Sequence, residues 1–133
     1  MKREAAFNPV RLMRIAASVQ GAFYLGTGLW SLVSIETFQM VTGPKTDLWL
    51  VKTVGMLVIV SGAVLLLAAR RRNFPPEIVL LAAGSAVGLA AIDATYVSIG
   101  RISPIYLLDA LAEAVLAAAW IAAWRRAKGS ALG

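Results

Sequence analysis

The chain has 133 residues, 59% of them hydrophobic and 15% charged, with a mean hydropathy of +0.75, which leaves too little polar surface for a soluble domain of this length. The formal charge of +6 does not argue for nucleic acid, because the basic residues sit in short clusters beside apolar runs, a pattern suited to anionic headgroups and membrane topology. Cysteine and histidine are absent; this excludes disulfides, cysteine nucleophiles, thiolate or imidazole metal sites and His-ligated haem, so neither metal nor cofactor is expected.

The N-terminal MKREAAFNPVRLMR is basic, and Ile15 to Ile35 then runs 21 residues without a charge. That run is too long for a signal-peptide core and carries no clear cleavage site, so it reads as an uncleaved first helix. The five prolines lie in Asn8-Pro9, Gly43-Pro44, Phe74-Pro75-Pro76 and Ser103-Pro104, each ahead of an apolar segment. Proline suits a first helical turn, where its missing N–H costs nothing, and Asn, Gly and Ser are good caps. The pattern predicts helices over 9–35, 44–70, 75–99 and 104–127. Each is long enough at ~1.5 Å per residue to cross ~30 Å of hydrocarbon, and the short loops make neighbours antiparallel. The expected fold is therefore all-α: a polytopic four-transmembrane-helix antiparallel bundle, residues 1–133 forming one domain.

Of the thirteen basic residues, all but Lys45, Lys52 and Arg101 fall on one side of such a bundle: Lys2, Arg3, Arg11, Arg14, Arg70, Arg71, Arg72, Arg125, Arg126 and Lys128. The positive-inside rule then predicts cytoplasmic termini in a plasma membrane, the bacterial inner membrane being the expected one. Trp49, Tyr96 and Tyr106 are assigned to the outer interfacial belt, and Phe74, Trp120 and Trp124 to the inner one. Gly21, Gly26 and Gly28 in the first helix, Gly55 and Gly62 in the second, and Gly84 and Gly88 in the third predict close helix contacts, more readily within one chain than between chains. Lipid tails give helices no hydrophobic reason to associate, so backbones must approach closely to gain dispersion contacts.

Intramembrane charges carry most of the functional information. Asp93 in the third helix, Asp109 and Glu113 in the fourth, Lys52 in the second and Arg101 in the last loop converge on the end away from the basic clusters, where Glu36 and Asp47 flank the first loop. Tyr106, Asp109 and Glu113 form one stripe at i, i+3 and i+7, and Asp93 and Tyr96 share a face. Gln20, Tyr24, Thr27, Ser31 and Ser34 form a polar stripe on the first helix. In hydrocarbon such stripes must face protein or water, so they are expected to line one cavity opening outward. Two carboxylates one turn apart repel when both are ionised, and such a pair can hold a proton, a cation or a basic ligand. Lys52 and Arg101 have a plainer alternative: neutralising Asp93 and one of the pair, or, for Lys52, snorkelling to the surface.

With these helices placed, the chain resembles the DoxX-like superfamily of small four-helix membrane proteins, closest to members of unknown function. The resemblance rests on Gln20-Gly21-Ala22-Phe23-Tyr24-Leu25-Gly26, on Lys52-Thr53-Val54-Gly55 leading to Ser61-Gly62, and on the stretch from Gly100-Arg101 through Asp109 to Glu113. It implies kinship with membrane subunits of quinone- and sulfur-linked redox systems. The chain departs from the pattern in lacking cysteine, so thiol redox chemistry is not implied, and in having Lys52 where members place an acidic residue.

With no nucleophile–base set in view, an enzyme is not favoured. The leading expectation is a ligand- or partner-binding membrane module with an acidic, polar cavity; the alternative is a small proton- or cation-coupled transporter using the carboxylate pair. The partners expected are the lipid bilayer, a lipophilic or cationic small molecule, and a membrane protein or a second copy of the chain.

Overall fold

The structure, a computed structural model, describes residues 6–132. Lys2 and Arg3, counted above with the basic cluster, lie outside the described residues. Five helices follow in order: α1 (Pro9–Val33), α2 (Ile35–Thr42), α3 (Leu48–Ala68), α4 (Pro76–Ser98) and α5 (Tyr106–Ala131). Among the described residues there is no strand. Three helices, α3, α4 and α5, are long and apolar enough to cross a membrane, and this is the fold of a helical membrane protein. Their outward faces carry large apolar side chains such as Leu67, Leu80, Leu111 and Val115, which suit lipid.

Proline marks two of the four long helices as expected. Pro9 stands in the first turn of α1, behind Asn8, whose side-chain oxygen accepts from the Val10 and Arg11 amides; a cap of this kind contributes about 1 kcal/mol. Pro76 opens α4. Pro75 caps α4, and Pro44 and Pro104 lie ahead of their helices. Gly43, at φ 98°, closes α2 instead of capping the next helix, and α3 begins only after Asp47. Ser103 and Pro104 accept from the Tyr106 and Leu107 amides in a turn before α5. At the other ends, α1 stops at Val33 where Ser34 leaves helical geometry, and α5 continues beyond residue 127 to Ala131.

Helix α1 is the centre of the packing. It lies along α3 on one side and α5 on the other, and α4 covers the far side of α5, so the sequence neighbours α3 and α4 meet only sparsely. Glycine explains the closeness of α1 and α3. Running antiparallel, they pair Gly21 with Gly62 and Gly28 with Gly55. A Cβ at Gly28 would lie 2.7 Å from the Gly55 carbonyl oxygen, and one at Gly62 would lie 2.7 Å from that of Gly21. Only glycine permits this approach, and the gain is dispersion between backbones.

The other expected glycine seams are not within the chain. A Cβ at Gly26 or Gly88 would meet nothing within 4 Å, and one at Gly84 would meet only Leu80 of its own helix at 3.8 Å. The small-xxx-small face of α4 points away from α5, which α4 meets through Val79, Ala82 and Ala86 instead.

The two halves of the bundle differ. Near the basic end, Met13, Ala16, Ala17, Leu65, Val79, Ala82, Trp120 and Ala123 form a continuous core. Trp120 is therefore no interfacial anchor: it is fully buried, with Phe74 edge-on against it at 5.7 Å. Arg14 ties this end together by donating from Nε to the Ala69 carbonyl at the end of α3, at 3.0 Å, and a cation there also complements the helix dipole. Toward the opposite end the helices separate around a hollow.

Candidate functional site

The hollow is a cavity of about 750 Å³, within the range that holds one small molecule. Its walls come from the second half of α1, the first halves of α3 and α5, and the later part of α4. Most of them are apolar: Phe23, Val51, Val54, Val58, Leu89, Ile92 and Ala112. The polar exceptions are few, and they come mainly from α1 and α5.

Helix α2 covers the end of this hollow, and its placement is local chemistry. Where Ser34 breaks α1, the Trp30 indole N–H donates to Thr37 Oγ1 at 2.9 Å, and Thr37 Oγ1 bonds Ser34 Oγ at 2.7 Å. Phe38 packs edge-on against Trp30 at 5.3 Å. The far end of α2 is held by Lys45, whose backbone amide donates to Gln39 Oε1 at 2.9 Å. Lys45 Nζ donates to the Thr42 and Gly43 carbonyls at 3.1 and 3.0 Å and stands 5.1 Å above the Tyr106 ring. Phe38, Val41 and Thr42 thus become lining residues. This short helix narrows the end at which the cavity is expected to open, with Val41 half-exposed at its edge.

At the inner limit of the cavity begins a buried hydrogen-bonded chain. Tyr24 Oη donates to Glu113 Oε2 at 2.9 Å, and Gln20 Nε2 donates to Tyr24 Oη at 3.0 Å and to the Ala82 carbonyl at 2.9 Å. The Trp120 indole N–H donates to Gln20 Oε1 at 2.8 Å. Gln20 and Glu113 are 0% and 1% exposed, so each polar group must find its partner here. The indole can only donate, which fixes the Gln20 amide with its oxygen toward Trp120. Both donors of Gln20 Nε2 are then used on α4 and on Tyr24. The chain joins α1 to α5 through side chains and to α4 through the Ala82 backbone carbonyl.

Asp109 also lines the cavity and lies close to Asp93, Glu113 and Tyr24. Asp93 is buried on α4, and its Oδ2 has no hydrogen-bond partner. The three acidic side chains therefore form one cluster at the meeting of α4, α5 and α1, with Tyr24 as a hydrogen-bond donor to it.

The expected site residues divide accordingly. Tyr24, Thr27, Ser31, Tyr106, Asp109 and Glu113 line the cavity; Asp93 stands beside it, and Gln20 lies beneath it in the hydrogen-bonded chain. Ser34 is at the α1–α2 break rather than in the lining. Lys52 and Arg101 are exposed, away from the Asp93 oxygen they were candidates to neutralise, and Tyr96 is 45% exposed and does not share the buried face of Asp93. Lys52 and Tyr96 stand on exposed parts of α3 and α4, and Arg101 lies in the connection between α4 and α5. Two participants were not among those expected. Trp120 stands two turns beyond Glu113 on the same face, a spacing visible in the sequence. Lys45 has no such signal, since its place depends on α2.

No family model, no curated protein and no solved structure matches the chain.

Proposed function

We propose that the chain is a four-span membrane protein that binds one lipophilic molecule bearing a basic group in the cavity among α1, α3, α4 and α5. The observation that supports it most is the composition of the cavity: apolar walls around about 750 Å³, with Asp109 and Glu113 as a pair of carboxyl groups in the lining. A small number of polar groups in an otherwise apolar pocket is the usual design of a small-molecule site, the walls giving affinity and the polar groups orientation. An amine would gain charge-assisted hydrogen bonds from the carboxylates, and its chain would lie against Val54, Val58, Leu89 and Ile92.

In this reading α1 is the fourth span. It is less apolar than the other three because Gln20, Tyr24 and Ser31 face protein and not lipid. Arg11, Arg14, Arg70, Arg71, Arg72, Arg125, Arg126 and Lys128 then mark the cytoplasmic side of a bacterial inner membrane, and the cavity lies in the outer half. The DoxX-like resemblance is a proposal of kinship on the motifs given above, and it supplies no activity. A proton- or cation-coupled transporter draws on the same carboxylate cluster. It is the less supported reading, because among the described residues the core around Leu65, Trp120 and Ala123 fills the basic half of the bundle, through which alternating access would need a path.

The test is equilibrium binding of dodecylamine and dodecanol to the full chain in lipid nanodiscs. Saturable binding of the amine, with weaker binding of the alcohol, is expected. Asp109→Asn and Glu113→Gln should each weaken the amine by about tenfold or more, the scale of one charge-assisted hydrogen bond. Ala112→Trp, which fills the cavity, should remove binding of both molecules. Equal binding of amine and alcohol, or no saturable binding of either, ends this reading.

A further inference from the structure

Resting on the ligand-binding reading, we infer that the ligand is a single-chain amphiphile dissolved in the bilayer, and that it reaches the cavity sideways from lipid through a slot between α3 and the α4–α5 pair. The first reason is the order of packing. Helix α1 packs against α3 and α5, and α4 packs against α5, whereas α3 meets α4 only sparsely and α5 still less. The connection between α3 and α4 holds them together at the basic end, so their separation falls at the cavity end.

The second reason is that residues lining the cavity are also open to the surroundings of the bundle. Val54 on α3 is 48% exposed, Ile92 on α4 is 53% exposed and Leu108 on α5 is 66% exposed, and all three line the cavity. A side chain that belongs to both a cavity wall and an outer surface stands at the rim of an opening. These three are apolar and lie on opposite sides of the α3 to α4–α5 gap. Val54 stands two turns inside its helix and Ile92 two turns before the end of α4. That depth is within hydrocarbon and not at the aqueous boundary.

The third reason is that α2 narrows the aqueous end, although Val41, 51% exposed, reaches both the cavity and the outer surface there. Phe38, Val41 and Thr42 of α2 line the cavity from that side, and Lys45 fixes the end of α2 by its bonds to Thr42 and Gly43. The two connections at this end approach each other, a Cβ at Gly43 lying 3.7 Å from Ser103 Cβ. A molecule coming from water would have to pass the edge of α2 beside Val41, Lys45 and Tyr106. One already in the outer leaflet would pass only between apolar side chains, with its amine drawn toward Asp109 at the inner wall. Such a path selects for molecules that partition into lipid, and a cavity of about 750 Å³ selects for one chain.

The absence of cysteine makes the slot testable with one reversible lock. Val54→Cys and Leu108→Cys are introduced together, the full chain is reconstituted in vesicles, and a membrane-permeant bifunctional methanethiosulfonate bridges the two thiols. Association of a dansyl-labelled dodecylamine is followed before bridging, after bridging and after reduction. Bridging should slow association at least about tenfold, since the route and not the site is closed, and reduction should restore it. The same two thiols each capped with methyl methanethiosulfonate set the reference rate, since capping alters the cavity wall as bridging does without joining its two sides, and association after bridging should be slower than this reference. An unchanged rate after bridging overturns lateral access while leaving the binding reading intact. A rate that falls on bridging only when α2 is also tethered, through Thr42→Cys and Ser103→Cys, overturns it in favour of the aqueous end. If the unbridged protein and the wild type both fail to bind the amine, the binding reading itself falls, and this inference with it.

Discussion

Gln20 shows how much of this molecule is set by single side chains. It is fully buried, and its amide accepts from Trp120 while donating to Tyr24 and to the Ala82 carbonyl. Replacing it with leucine keeps the volume but strands the Trp120 indole N–H in a place that water does not reach, while the Tyr24 hydroxyl keeps its bond to Glu113. A stranded group costs roughly 1–3 kcal/mol, though interhelical hydrogen bonds in membranes average nearer ~0.6 kcal/mol. Gln20→Leu should therefore lower stability by about 1–3 kcal/mol in all, read as a lower midpoint in detergent denaturation followed by tryptophan fluorescence. Tyr24→Phe, which leaves the Trp120–Gln20–Ala82 bonds in place but takes the partner from Glu113 Oε2 and from one Gln20 N–H, should cost a similar amount. Equal stability of Gln20→Leu and wild type would mean that the chain of bonds is replaced by others when broken. The polar stripe containing Gln20 and Tyr24 was legible in the sequence because lipid forces polar groups inward. Trp120 was misplaced because position along a helix suggests a belt, whereas its spacing from Glu113 places it on the buried face.

At the scale of helices, glycine spacing was readable but its partner was not. Gly21, Gly28, Gly55 and Gly62 make the α1–α3 seam, whereas Gly84 and Gly88 have the same kind of spacing and touch no other helix. Small residues permit close approach; which face meets which helix is decided by the whole set of contacts. The consequence can be measured. Gly28→Ala and Gly62→Ala put a methyl group against backbone at 2.7 Å, which no rotamer change can relieve, so α1 and α3 must part; overpacking of this kind costs typically about 1–3 kcal/mol. Gly88→Ala meets open space and should be neutral or stabilising by up to ~1 kcal/mol, the helix propensity gained. Thermal unfolding of the three variants in one detergent should rank Gly88→Ala highest, and a Gly88→Ala variant as unstable as Gly62→Ala would put a partner on that face of α4. Helix α2 escaped the sequence reading for a related reason. The uncharged run from Ile15 to Ile35 gives no sign of the break at Ser34, which depends on Trp30, Thr37 and Phe38 meeting after the turn.

For the molecule as a whole, the strongest sequence signal was the gathering of basic residues, because charge clusters are unaffected by how helices rotate or pack. The fold places Arg11 and Arg14 at the start of α1, Arg70 to Arg72 after α3, and Arg125, Arg126 and Lys128 near the end of α5. All belong to one end of the bundle. How this end lies in a membrane turns on α1, since α3, α4 and α5 are apolar enough to span by themselves. With three spans, the two termini would stand on opposite sides, the N-terminus sharing a side with the 36–47 segment. With four, the termini share a side and only that segment lies across the membrane. A fusion at residue 133 cannot separate these cases, because it opposes the 36–47 segment in both. A fluorescent protein ahead of residue 1, which fluoresces only in the cytoplasm, does separate them. The buried polar face of α1 and the cytoplasmic preference of Arg11 and Arg14 predict fluorescence from both terminal fusions, and activity of alkaline phosphatase inserted in the 36–47 segment, an enzyme that folds only outside the cytoplasm. A dark N-terminal fusion with a fluorescent C-terminal one would leave α1 outside the membrane, and the cavity, which α1 lines from Phe23 to Ser31, would then face the aqueous phase and not lipid.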